Sequence, residues 1–221
     1  MNALHPRRIH RGMVAAVTGG LALLALGTIA PMSAQAAVTC TPAQTMTGAH
    51  NGAINVAGGQ KLCLTNATQD GALTVDPNGS LSVRNSTITG SVSLFSGYTD
   101  FEFCGSWTVG GAISATGGTG TVLIGDTGLP GSGLSPACPS NTIDGAVTLD
   151  ANQAGVTLAH NEIKAAVTAT GNLVATNIVG NHIAGALTCT GNEPAPNNIG
   201  LLGRNIVGGE RFGQTCLDGN F

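Results

Sequence analysis

Residues 141–149 read NTIDGAVTL, residues 161–169 read NEIKAAVTA and residues 181–189 read NHIAGALTC, so one pattern returns at twenty-residue spacing. This repeat constrains the fold more than any other feature, because a period near twenty without a helical pattern marks a solenoid of stacked β-coils. With the small residue of the pattern taken as a coil start, starts fall at Gly52, Gly71, Gly90, Gly111, Gly145, Ala165 and Gly185, with a fading start at Gly208. The intervals are 19, 19, 21, 34, 20, 20 and 23 residues.

Registering the coils on those starts sorts the residues into columns. Two places after the start stand Ile54, Leu73, Val92, Ile113, Val147, Val167 and Leu187; four places after stand Val56, Val75, Leu94, Ala115, Leu149, Ala169 and Cys189. Their shared parity puts them on the inner side of a strand. Between them the column Asn55, Thr74, Ser93, Ser114, Thr148, Thr168 and Thr188 faces out. Seven places after the start only Gly and Asn occur, at Gly59, Asn78, Gly97, Gly118, Asn152, Asn172 and Asn192, which predicts a corner with left-handed backbone. A second corner is marked by Asn66, Asn85, Asn141, Asn161, Asn181 and Asn205, whose amides are expected to bond one another or the turn backbone where the spacing is strict.

The fold class is therefore all-β: a single-stranded parallel β-helix of about seven coils with a period near 20 residues, disulfide-tied caps and one long loop insertion. Glycine is too frequent and Glu and Lys too scarce for helices, with 34 Gly in the chain. A β-sandwich is the competing architecture, but it does not demand matching columns across successive units. The insertion is GDTGLPGSGLSPACPS, residues 125–140, in the fourth coil, and a smaller EPAPNN excursion lies in the seventh. Residues 37–51 and 208–221 are assigned as the caps of a β-helix over residues 52–207.

The first 36 residues read as a secretory signal: Arg7, Arg8 and Arg11 precede the apolar run Met13 to Ala30, and Ser33-Ala34-Gln35-Ala36 supplies a cleavage site of small residues. Cleavage near Ala36 by the general secretory route is expected, with an uncleaved membrane anchor as the alternative. The mature chain then keeps five basic side chains against eleven acidic ones, a formal charge of −6, which disfavours nucleic acid as a partner. No second apolar run spans a membrane.

Six cysteines survive cleavage: Cys40, Cys63, Cys104, Cys138, Cys189 and Cys216. An even number in an exported chain argues for disulfides, and sequential pairing is expected because each such pair brackets a segment that needs tying down. The absence of C-x-x-C or His-bearing ligand spacing argues against zinc, and no cofactor or metal site is expected.

The registered coils resemble the right-handed parallel β-helix superfamily, and the segments FCGSW, VLIGD, LTCTGNEPAPNN and GQTC resemble a group of small secreted Gram-positive β-helix proteins. The likeness covers the whole mature chain. It implies the fold and a secreted location, and it carries no catalytic residue set.

Four ionisable residues form the one outward cluster. Stacking sets Glu162 beside His182 and Asp144 beside Lys164, and Glu162 and Lys164 share a strand face. As chemistry this is an acid, an imidazole and a base within reach of one substrate, the constellation a polysaccharide lyase or hydrolase would use. As architecture it is cross-strand charge pairing. Asp76 and Asp150 share a column three coils apart, and His50 and His160 stand alone as exposed polar residues. Among the aromatics of LFSGYTDFEFCGSW, Phe101 and Phe103 are assigned to the core, while Tyr98 and Trp107 are candidates for stacking on sugar rings beside the insertion. The Ala-x-Thr columns, such as Ala146-x-Thr148 and Ala166-x-Thr168, would make a regular outer face of the kind ice-binding solenoids use. The expected function is that of a monomeric, non-catalytic secreted or cell-surface module in contact with cell-wall or extracellular polysaccharide. A carbohydrate-active enzyme at Glu162, Lys164 and His182 is the alternative.

Overall fold

The computed structural model describes residues 38–106, 108–125, 138–198, 203–219 and 221. The proposed signal segment, Trp107 and most of the 125–140 insertion lie outside the described residues. The remainder is a parallel β-solenoid with a three-sided cross-section. One side is the eight-stranded sheet built from Ile54–Val56, Leu73–Val75, Val92–Leu94, Ile113–Thr116, Val147–Asp150, Val167–Thr170, Leu187–Thr190 and Arg211–Phe212, each paired in parallel with the next. The other two sides form one thirteen-stranded sheet, because the long strand Lys61–Asp70 bends through a corner at Asn66, contributes to both and pairs along its length with the first strand, Thr45–Asn51. The second side continues through Ser80–Arg84, Asp100–Cys104, Val122–Ile124, Val156–Ala159 and Thr176–Val179. The third continues through Thr87–Ile88, Thr108–Val109, Thr142–Ile143, Glu162–Ile163, His182–Ile183 and Ile206–Val207.

The register confirms the inward columns. Leu73 pairs with Val92, Val92 with Ile113, Ile113 with Val147, Val147 with Val167 and Val167 with Leu187, and all six side chains are buried. On the last coil Leu187 pairs with Arg211, which makes Gly209 the register equivalent of Gly185. The fading start thus lies one residue beyond Gly208. The start column is small for a steric reason: a Cβ at Gly185 would fall 2.6 Å from the Ala166 nitrogen of the preceding coil.

The two Asn columns behave in two ways. In the early coils Asn66, Asn78 and Asn85 are exposed and take left-handed backbone, with φ of 50°, 66° and 49°. In the later coils the left-handed residue moves one place earlier, to Gly117, Ala151, Gly171 and Gly191 at one corner and to His160 and Gly180 at the other. After Ala151, His160, Gly171, Gly180 and Gly191 the following Asn turns its side chain into the interior, whereas Gly117 is followed by Gly118. The expectation that every member of the seventh-place column is itself left-handed is corrected accordingly.

Those inward amides form two ladders along the solenoid axis. In the first, Asn141 Nδ2 donates to Asn161 Oδ1 at 2.8 Å, Asn161 Nδ2 to Asn181 Oδ1 at 3.0 Å and Asn181 Nδ2 to Asn205 Oδ1 at 3.0 Å. The second Nδ2 proton of each goes to a strand carbonyl, that of Phe103, Ile124, Leu158 and Ile178 in turn. Each Oδ1 also accepts a backbone N–H from the neighbouring coil, as Asn161 Oδ1 does from Asn141 at 3.2 Å. In the second ladder Asn152 Nδ2 donates to Asn172 Oδ1 at 2.9 Å and Asn172 Nδ2 to Asn192 Oδ1 at 2.7 Å. Gln214 ends it by accepting from Asn192 Nδ2 at 2.8 Å, while the Phe221 carbonyl ends the first by accepting the Asn205 N–H at 3.0 Å.

The disulfides pair sequentially: Cys40–Cys63, Cys104–Cys138 and Cys189–Cys216, with Cα separations of 6.3, 4.7 and 5.9 Å, inside the usual disulfide range. Asn161 is 2 % exposed and bonded on every side, so Asn161→Ala strands a carbonyl and an N–H in the core; at about 1–3 kcal/mol per orphaned group, a loss of about 3 kcal/mol is expected. Asn66→Gly, at an exposed left-handed corner, is expected to stay within about 0.5 kcal/mol. Urea unfolding midpoints of the two variants at unchanged slope check the contrast.

Candidate functional site

The described part of the ionisable cluster divides into a groove and an ion pair. Thr142, Glu162, His182 and Ile206 stand in register on the third side, so Glu162 and His182 occupy neighbouring strands as expected from the repeat. Strands so paired lie about 4.8 Å apart. Behind them the corner is hollowed into an open groove of about 280 Å³, lined by Ser140, Asn141, Thr142, His160, Asn161, Glu162, Gly180 and His182. That volume lies just under the ~300–1,000 Å³ of ordinary small-molecule pockets. The ladder residues Asn141 and Asn161 belong to this lining, so the structural spine sits directly behind the groove.

His160 is the residue the repeat did not signal. It takes left-handed backbone, φ 52°, at a corner where Gly105, Gly125 and Gly180 serve in other coils. Its ring lies against Gly180, where a Cβ would fall 2.5 Å from His160 Cδ2. The sequence did hold a clue: before Asn152, Asn161, Asn172, Asn181 and Asn192 the preceding residue is the left-handed turn residue, and His160 is the one bulky side chain at those five places.

Lys164 and Asp144 lie outside the groove lining and bond each other, Nζ to Oδ1 at 2.9 Å. The hydrogen bond and charge of Asp144, with a smaller contribution from Glu162, hold the Lys164 ammonium above the ordinary lysine range. A lysine so held is cationic at neutral pH and poorly suited to abstract a proton. Asp144→Asn is expected to bring the Lys164 pKa down toward its ordinary value, which NMR titration of the Lys164 side chain would record.

Tyr98 does not stand outside, and its assignment as a sugar-stacking residue is corrected. It is fully buried, its hydroxyl donates to Asn152 Oδ1 at 2.7 Å, and Gly118 leaves the room its ring occupies, since a Cβ there would run into the ring. The ring takes over where the second amide ladder runs out: Gly97 and Gly118 stand in the early coils in place of Asn, and the phenol supplies the donor that Asn152 needs. Trp107 lies outside the described residues. The aromatic of that segment that does face solvent is Phe95, 51 % exposed, while Phe101 and Phe103 fill the core as expected.

A second charged residue escaped the repeat reading. Glu102 is 2 % exposed on the outer side of the second sheet, where it pairs with Arg84 and accepts the Val38 N–H at 3.0 Å. Together with Cys40–Cys63 this holds the segment that follows Val38 across the strands beneath it, in a structural role. Among the described residues no group of three His, Cys, Asp or Glu is placed to hold a metal ion, and no helix is long and apolar enough to cross a membrane.

The outward Ala-x-Thr columns are in register, Thr148 with Thr168 and Thr168 with Thr188. Phe95 interrupts the face, and its polar groups bond within it: Thr170 Oγ1 to Asp150 at 2.6 Å, Thr74 Oγ1 to Asn55 at 2.8 Å, Asn55 Nδ2 to Asp76 at 3.0 Å. No protein-family model, curated protein or solved structure matches the chain. The fold class is that of a disulfide-bonded parallel β-solenoid.

Burial, reinforced by the Asp100 carboxylate, pushes the Tyr98 phenol well above the usual tyrosine range. In the unfolded chain the same phenol ionises near pH 10, so its contribution to stability is complete below that pH and is lost as pH rises above it. Tyr98 is the single tyrosine of the chain. Its ultraviolet ionisation signal is therefore expected to appear together with loss of the β-sheet circular dichroism and not before it.

Proposed function

We propose that this protein is a secreted, non-catalytic β-helix that contacts glycans of a cell envelope or extracellular matrix. The observation that carries this reading is the division of the acid–base cluster. The candidate base, Lys164, is held cationic by Asp144, while Glu162 and His182 line an open polar groove instead of an enclosed cleft. Buried amide ladders and three disulfides give a scaffold suited to an oxidising exterior, in keeping with the signal-like N-terminal segment and the likeness to secreted Gram-positive β-helix proteins. Action as a monomer accords with ladders closed at the far end by Gln214 and Phe221.

A carbohydrate-active enzyme is the second reading, favoured by the adjacency of Glu162 and His182. The ice-binding reading has less support, because Phe95 breaks the outer face and several of its hydroxyls are turned into neighbours. Retention of the purified mature chain on a panel of insoluble glycans and peptidoglycan is the expected result, with no new reducing or unsaturated ends after long incubation. Release of such ends by the wild type and not by Glu162→Gln would establish the enzyme instead.

A further inference from the structure

We infer that the Cys40–Cys63 bridge is a thiol-operated latch: its reduction releases residues 38–44 from the outer face of the second side and uncovers the Arg84–Glu102 ion pair, while the solenoid stays folded. Three observations converge on it. The first is access. Cys104, Cys138, Cys189 and Cys216 are each at most 1 % exposed and pack within apolar clusters. Cys63 is 2 % exposed, but its partner Cys40 is half-buried at the surface. A thiolate must touch a sulfur to exchange with it, and reachable bridges are the labile ones.

The second observation is how lightly the strap is otherwise held. Each of its residues is exposed or half-buried, so it buries little apolar surface. Its turn is bonded internally, Thr41 N–H to Gln44 Oε1 and Gln44 N–H to the Thr41 carbonyl, both at 3.0 Å. Val38 N–H donates to Glu102 Oε2 at 3.0 Å, and the Lys61 ammonium donates to the Thr39 carbonyl at 3.0 Å. Segments with so little burial open locally unless a covalent tie holds them. The third observation is what lies beneath. Cys63 pairs with Ser82 and Ser82 with Glu102, one outward column whose three members are each 2 % exposed. The strap meets this column at both ends, through the Val38 amide on Glu102 and the Cys40 bridge on Cys63.

A small-molecule thiol supplies the reduction. Its thiolate attacks the Cys40 sulfur, the bond to Cys63 breaks, and the departing Cys63 thiolate takes up a proton. A second thiol then displaces Cys40 from the mixed disulfide, so two thiols become one disulfide and the bridge becomes two cysteines. Release costs Glu102 its Val38 donor and leaves it paired with Arg84, so no charge is orphaned in the uncovered state.

The test titrates the purified protein, with its three disulfides formed, with reduced glutathione at mildly alkaline pH. Free thiols are alkylated with iodoacetamide and mapped by mass spectrometry. Cys40 and Cys63 are expected to be labelled at a thiol concentration about tenfold below that needed for either other bridge. Over the same range the Val38 amide is expected to lose its protection from hydrogen exchange and Arg84 to gain reactivity towards phenylglyoxal, with the β-sheet circular dichroism unchanged. The double variant Cys40→Ser, Cys63→Ser is expected to show the released strap without thiol. Earlier labelling of Cys104–Cys138 or Cys189–Cys216 would overturn the inference. So would a Val38 amide that stays protected after Cys40–Cys63 is reduced, or a loss of circular dichroism that accompanies that reduction.

Discussion

Hydrogen bonding between asparagine side chains inside the solenoid is the interaction on which the rest depends. A corner in a β-coil breaks the strand ladder and leaves backbone N–H and C=O groups facing the interior, where unpaired polar groups are costly. An inward Asn amide answers both needs at once, since its Nδ2 reaches a strand carbonyl and its Oδ1 takes an N–H from the neighbouring coil. Its remaining proton joins the next Asn, so the solution for one coil presupposes the same residue in the following coil. This reciprocity explains why the sequence is most regular from residue 141 onward, and why each ladder needs a distinct terminator in Tyr98, Gln214 or the Phe221 carbonyl.

Much of this was legible in the sequence because solenoid columns are enforced by neighbours. Parity assigned Val147, Leu149 and Ile163 to the interior, and the even number of cysteines, paired in sequence around the segments they bracket, anticipated all three bridges. Asn at a corner, however, serves two different ends. It can be the left-handed residue itself, as Asn78 is, or follow a left-handed Gly and point inward, as Asn172 does. The distinguishing sign is the preceding residue, Pro77 in one case and Gly171 in the other, and composition by column conceals it.

Tyr98 shows the other limit. An aromatic one place past a corner glycine reads as exposed when only strand parity is counted. Its burial depends on Gly118 in the following coil and on Asn152, which is 54 residues away in sequence, so the compensation lies beyond any local pattern. Glu102 likewise faces outward by parity and is buried because the segment following Val38 crosses over it. The groove shared this obscurity: Glu162 and His182 were paired by period alone, but the hollow behind them is shaped by the backbone of His160 and Gly180.

Within so regular a scaffold, departures from a column are informative in proportion to what compensates them. Tyr98 departs from the Asn column and is repaid in full: a glycine makes room, a hydrogen bond closes the ladder, and its presence is explained by stability. Arg84 and Glu102 place charge on a covered face and neutralise each other. His160 departs from a glycine corner, and its ring lies in the space that Gly180 of the next coil leaves open. A side chain at a left-handed corner is thus accommodated by a glycine in the following coil, as Gly118 accommodates Tyr98, so the compensation for each departure lies one coil away and not in the local sequence.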